Sequence, residues 1–216
     1  MLRAIGAGVL AACLGLSACQ AGPASSAGDG NGGAAAGATG PERAMTASFE
    51  SKFAENEGVR IHYVAGGEGP LVVMIHGFPD YHRSWAKLMP ALSDAYRVAA
   101  MDTRGYNLSD KPAAQDDYAM PKLVADVAAV IRAEGREKAI VIGHDWGAAI
   151  AWQVAFQRPD LVEKLVILSV PHPTAFAQEI ANNPQQQANS QYARNFQQEG
   201  SESRLTAEGL AGWVQD

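Results

Sequence analysis

From about Ser48 onward the chain is built of short apolar runs separated by polar, glycine-rich punctuation. Residues 49–54 and 59–65 alternate apolar and polar positions with the period of two of half-buried strands, and Asn56-Glu57-Gly58 between them predicts a hairpin turn. Gly66-Gly67-Glu68-Gly69-Pro70 marks a second turn. Residues 71–75, 97–101, 140–142 and 165–168 are nearly continuous apolar runs, as expected of strands buried on both faces of a parallel sheet. Helical spacing lies between them. Trp85, Leu88, Met89 and Leu92 mark one helix; Leu123, Val124, Val127, Val130 and Ile131 mark a longer one, with Pro121 near its start and Gly135 at its end; residues 148–157 mark a third. Strands alternating with helices predict an α/β fold, a mostly parallel sheet opened by an antiparallel hairpin, with helices on both faces.

The first 47 residues lie outside that pattern. Met1-Leu2-Arg3 gives a short positive start, and residues 4–16 are thirteen uncharged positions of apolar or small type. Such a run is shorter than the roughly 18 residues that span a bilayer, so it reads as an export signal. Leu16-Ser17-Ala18-Cys19 resembles the bacterial lipobox, which makes Cys19 the lipid-carrying first residue of the mature chain. Cys13 also fits that short pattern but leaves a hydrophobic region of barely nine residues, so Cys19 is preferred. Residues 20–40 hold seven Gly and seven Ala, a composition that cannot bury enough apolar area to offset its ordering entropy. The expected organisation is a signal peptide over 1–18, a lipidated cysteine and tether over 19–47, and a folded domain after it. The expected location is the bacterial cell envelope, exported, with membrane contact through the lipid anchor only.

Composition narrows the function. The chain has 216 residues, and 17 Lys+Arg against 23 Asp+Glu leave a net charge of −6 with 47% hydrophobic residues. That apolar content excludes a disordered polymer, and scattered charges of both signs offer no basic patch for nucleic acid. Both cysteines lie in the first nineteen residues and cleavage before Cys19 leaves no pair, so the folded domain is expected to depend on its core and not on a disulfide. Gly67-x-Gly69 lacks the third glycine and following helix of a dinucleotide fingerprint. His76-x₃-Asp80-x-His82 lacks further His or Cys partners to complete a coordination shell, so neither metal nor cofactor is expected.

The chemistry concentrates after one buried strand. Gly143-His144-Asp145-Trp146-Gly147 has the form Gly-x-nucleophile-x-Gly, an elbow that lifts one strained side chain above a sheet, but the central residue is Asp and not Ser. A serine alkoxide attacking a saturated carbon leaves an ether that water does not readily cleave. A carboxylate attacking the same carbon, displacing an epoxide oxygen or a halide, leaves an ester that hydrolyses at its carbonyl. The helix predicted to follow favours the ionised carboxylate and a later oxyanion. His76-Gly77-Phe78-Pro79 ends an earlier strand in a glycine turn that lets the Phe78 N–H enter the same site, where it forms an oxyanion hole with the Trp146 N–H.

His76-Gly77-Phe78-Pro79, Asp102-x-Arg104-Gly105-Tyr106 with Ser109-Asp110-Lys111-Pro112, and Gly143-His144-Asp145-Trp146-Gly147 together resemble the α/β-hydrolase superfamily, in its epoxide hydrolase branch, over residues 48–200. Asn107 departs from the glycine usual there; Asn tolerates a left-handed conformation. The resemblance implies an α/β-hydrolase core over residues 48–170 and part of a helical cap over 171–216, with Val170-Pro171-His172-Pro173 at the cap's start. It implies Asp145 as nucleophile, Tyr192 of the cap as proton donor to the epoxide oxygen, and His76, Pro79 and Trp146 as pocket residues. His76 also reads as a structural turn residue, and Trp85, Trp152 and Trp213 read as core or cap packing.

The same resemblance calls for a carboxylate and a histidine after Asp145 to activate water. The only later histidine is His172, between two prolines at the cap's start, so that role is unfilled and the chain is expected to be C-terminally truncated within the cap. The expected function is an epoxide hydrolase-like enzyme acting through an Asp alkyl ester, incomplete for turnover as given. The alternatives are a haloalkane dehalogenase-type hydrolase, disfavoured by Phe78 and the Tyr192 segment, and a non-catalytic envelope lipoprotein fragment. The expected partner is a small-molecule epoxide or alkyl halide.

Overall fold

Six strands form one sheet in a computed structural model that describes residues 48–196, 198, 200 and 201. Cys13, Cys19, the tether and Trp213 lie outside the described residues. The first two strands, β1 (Glu50–Asn56) and β2 (Val59–Gly66), pair antiparallel across Glu57 and Gly58, both at positive φ. A two-residue turn of that hand matches the twist of its strands. Next come β3 (Leu71–Ile75), β4 (Arg97–Met101), β5 (Ala139–His144) and β6 (Val162–Leu168), parallel to one another, and the spatial order is β1-β2-β4-β3-β5-β6. The predicted antiparallel opening and parallel body are both present.

Alternation along the strands divides the core in two. Val73, Ile75 and Val141 face helices α2 (Met120–Ala133) and α3 (Trp146–Gln157), where Val127, Ile131, Ile150 and Val154 meet them. Val72, Met74, Val98, Ala100, Ile140 and Ile142 point to the other face and meet Trp85, in a 3₁₀ turn (His82–Trp85), and Met89, in helix α1 (Leu88–Ser93). Trp85 is therefore core, as its spacing predicts. All five residues of β3 are buried, the signature of a central strand covered on both sides.

The last strand corrects an expectation. Residues 165–168 read as wholly buried, yet β6 alternates, with Leu165 and Ile167 packed on the α3 side while Val166 and Leu168 are 39% and 40% exposed. Among the described residues β6 is the sheet's edge, and no helix covers its second face. Three short helices follow, α4 (Pro173–Asn182), α5 (Pro184–Asn189) and α6 (Gln191–Asn195). His172 and Asn183 cap the first two by accepting backbone N–H bonds, and each is followed by a proline suited to a first helical turn.

Two polar ties lock the helices to the sheet. Arg104, after β4, is buried and grips Asp126 of α2 through two nitrogens, while Asn56 of β1 bonds the same carboxylate. Glu134, at the end of α2, accepts from Lys52, Tyr63 and Arg97, joining three strands to the helix's end.

Candidate active site

The turn from β5 into α3 forces Asp145 to φ 51, ψ −122, a conformation that costs a non-glycine residue about 1–3 kcal/mol. The surroundings hold it there. Its N–H donates to the Leu168 carbonyl of β6 at 3.3 Å, and its carbonyl accepts the Ala148 and Ala149 N–H groups that open α3. Gly143 and Gly147 make the tight path possible: a Cβ on Gly143 would stand 2.3 Å from the Gly147 oxygen, and one on Gly147 would stand 2.1 Å from the Ile75 oxygen. Ser169, also at positive φ, follows β6 beside the elbow. Strain is thus gathered around one side chain.

The loop after β3 is pressed against that side chain. Phe78 donates its N–H to Asp145 Oδ1 at 2.9 Å. A Cβ on Gly77 would come within 2.5 Å of the Asp145 Cβ, so the approach requires glycine. Trp146 is the first residue of α3, where backbone N–H groups lack an intrahelical acceptor. Asp145 and Trp146 form the base of a cavity of about 330 Å³ that extends between the sheet's end and α4–α6. Phe176 and Ile180, one helical turn apart on α4, supply apolar wall, and Tyr192 and Arg194 of α6 supply polar groups.

Tyr192 shares the cavity with Asp145 and is 46% exposed. Loss of solvent around its phenol, followed by the negative charge of Asp145, pushes its pKa above the ordinary tyrosine value. The proton is therefore retained throughout the neutral range. Trp146 lines the cavity and packs on the core. His76 does not line that cavity: its Nδ1 donates to the Gly77 carbonyl at 2.8 Å and its Nε2 accepts the Thr103 N–H at 3.1 Å. Burial lowers its pKa and keeps it neutral, so it serves as a turn residue beside a small void that Trp146 also borders. Pro79 lines neither space. Trp152 stacks on Phe156 and meets His172 edge-on.

The sequence reading missed the surroundings of Asp102. This carboxylate, 0% exposed after β4, accepts from His62 Nδ1 at 2.7 Å, Asn107 Nδ2 at 2.7 Å, and both the backbone N–H and Nδ1 of His82 at 2.8 and 2.9 Å. Burial pushes its pKa up, but donation from His82, Asn107 and His62 outweighs that and holds it below the usual carboxylate value. His62, His82 and Asp102 are the one group of three among the described residues close enough to ligate a metal. Their separations are those of direct hydrogen bonds, and both carboxylate oxygens are already taken by donors. The cluster is a structural anchor. Asn107 sits at φ 39, as its residue type allowed, but its bond to Asp102 had no local signal.

Residues 70–204 match the family described as alpha/beta hydrolase fold. "Epoxide hydrolase 4" of Mus musculus is 40% identical over 145 residues, covering 66% of this chain and 40% of that protein. "AB hydrolase superfamily protein YfhM" of Bacillus subtilis is 44% identical over 149 residues, covering 68% and 52%. A solved mutant epoxide hydrolase from Bacillus megaterium superimposes with a TM-score of 0.73 at 36% identity, over 76% of this chain and 59% of that one. The chain spans about half, or less, of the length of these curated relatives.

Proposed function

Since the chain belongs to the alpha/beta hydrolase fold family, we propose that it acts on small epoxides, with Asp145 opening the ring and Tyr192 protonating the departing oxygen. The observation that carries this reading is a strained carboxylate, one oxygen held by the Phe78 N–H, facing a tyrosine across an apolar cavity. Oδ2 is the free nucleophilic atom. It bonds to a ring carbon from the side opposite the C–O bond, that bond's electron pair passes to oxygen, and the Tyr192 hydroxyl supplies the proton. The products are an alkyl ester on Asp145 and a phenolate that regains its proton from water.

Ester cleavage places negative charge on Oδ1, which accepts the Phe78 N–H, and the Trp146 N–H at the start of α3 is assigned as the second donor. The step also needs a base for water. Each of the five histidines stands elsewhere: His62 and His82 on Asp102, His76 on the Gly77 carbonyl, His172 capping α4, and His144 exposed at the end of β5. None lines the cavity. Water activation is therefore assigned to none of them, and the ester is expected to accumulate.

Intact-mass measurement after incubation with styrene oxide tests the reading. One epoxide equivalent should add, fragment spectra should place it on Asp145, and little diol should form. Tyr192→Phe should slow the addition by about 10²-fold or more. Because the phenol's pKa is raised, loss of the wild-type rate at high pH should set in later than for an ordinary tyrosine. A folded protein that gains no mass removes the proposal.

We also propose export and anchoring through lipidated Cys19. Metabolic labelling with a radioactive fatty acid should mark the membrane fraction and disappear in Cys19→Ser. Loss in Cys13→Ser instead would move the anchor.

A further inference from the structure

Tyr192 lies on the shortest of the cap helices, five residues long, and helices of that length do not hold their shape alone. The proton it donates must nevertheless meet an oxygen beside Asp145 within hydrogen-bond reach. Phe196 follows at i+4, on the same side of the helical path, and donates its N–H to the Tyr192 carbonyl at 3.1 Å. Its ring meets Tyr192 edge-on, with centroids 5.9 Å apart at 76°. It also lies tilted against Phe78, at 5.6 Å and 58°. Both separations fall within the range of favourable aromatic pairs. Phe78 is the residue whose backbone N–H binds Asp145. Ser201 Oγ secures the Phe196 carbonyl at 2.8 Å. Phe196 does not line the cavity, so it does not touch what the cavity holds.

We propose that Phe196 is a positioning residue: its ring, between Phe78 and Tyr192, ties the cap to the oxyanion loop and sets the phenol over the ring oxygen that Asp145 displaces. The proposal rests on the epoxide-opening reading above and deepens it. It makes Phe196 matter only where a proton must be delivered. An epoxide requires that proton; a primary alkyl bromide, whose leaving halide needs none, supplies a control at the same nucleophile.

The test compares the wild-type chain, Phe196→Ala, Phe196→Tyr, Tyr192→Phe and the double variant Phe196→Ala/Tyr192→Phe. The rate of ester formation on Asp145 is followed by intact mass with styrene oxide and with phenethyl bromide. Phe196→Ala should slow epoxide addition by about 10- to 100-fold, the scale of a misplaced catalytic group. It should change bromide displacement by less than about twofold, within ordinary non-coupled effects. Phe196→Tyr, which keeps the ring, should restore the epoxide rate. The double variant should be no slower than Tyr192→Phe alone. Equal slowing with both substrates, or multiplicative slowing in the double variant, assigns Phe196 to general cap stability and overturns the proposal, while a selective Tyr192→Phe effect leaves the parent reading intact. If wild-type Asp145 is not alkylated at all, both readings fall together.

Discussion

Asp102 and Asp145 follow β4 and β5, the two strands that flank β3, so both carboxylates emerge at the same end of the sheet. Their fates are opposite. Asp102 is fully buried and accepts four donors within 2.9 Å, leaving no lone pair for chemistry. Asp145 accepts one backbone N–H and opens onto a cavity. Residue type and position along the strand do not separate the two carboxylates here; the number of donors aimed at each does. A saturated buried anion rigidifies, whereas an undersatisfied one beside a hollow retains an oxygen for a substrate.

Asp145→Asn breaks the comparison most strongly. Ester formation with styrene oxide should fall by at least about 10³-fold, because a neutral amide is a poor nucleophile. The urea midpoint should hardly move, since Asn tolerates positive φ at least as well as Asp. Alkylation that survives this change would place the nucleophile elsewhere.

Asp102→Asn should invert that result. Four donors lose a charged acceptor and, since two bond each oxygen, two of them meet an amide N–H₂, costing about 3 kcal/mol in urea unfolding. Whatever protein stays folded should still be alkylated at Asp145. Because the Asp102 pKa is lowered in the fold, its contribution is complete above the ordinary carboxylate value and disappears as pH falls through the folded one.

Glu134 sharpens the same point from a third carboxylate. Burial raises its pKa, but bonds from Arg97, Lys52 and Tyr63 prevail and bring it from 4.5 to about 2. Its stabilisation should therefore be present above pH 4.5 and drain away between 4.5 and 2. Glu134→Gln should cost about 2 kcal/mol at neutral pH and almost nothing near pH 2, which acid titration of both proteins by circular dichroism would compare. A constant difference across that range would contradict the assignment.

The smallest effect belongs to Asn107→Gly. Glycine relieves the positive φ but removes the Nδ2 bond to Asp102, so a net loss of about 0.5 kcal/mol is expected from thermal unfolding. A stabilised variant would mean that the bond to Asp102 contributes little.

The elements were legible where the signal is local. The hairpin at Glu57-Gly58, the buried run at 71–75 and the proline-to-glycine frame of α2 need only neighbours within a turn or a strand. The elbow was legible for the same reason: the close contacts at Gly143 and Gly147 impose glycine at fixed offsets from Asp145. The exposure of β6 was not, because an apolar run carries no record of whether a neighbour covers it. The cavity walls at Phe176 and Ile180 had only ordinary helical spacing.

Residues alone thus predicted the strand and helix sequence and placed Asp145 at the tip of a glycine-flanked turn, the arrangement on which the proposed chemistry rests. Folding decided which groups share a space. His62 reaches Asp102 across 40 residues of chain, and Phe78 reaches Asp145 across 67. Local patterning encodes periodicity, but strand order sets which distant loops meet. Donor counts at each carboxylate, and the ring of Phe196 between two loops, therefore became visible only once the sheet was assembled.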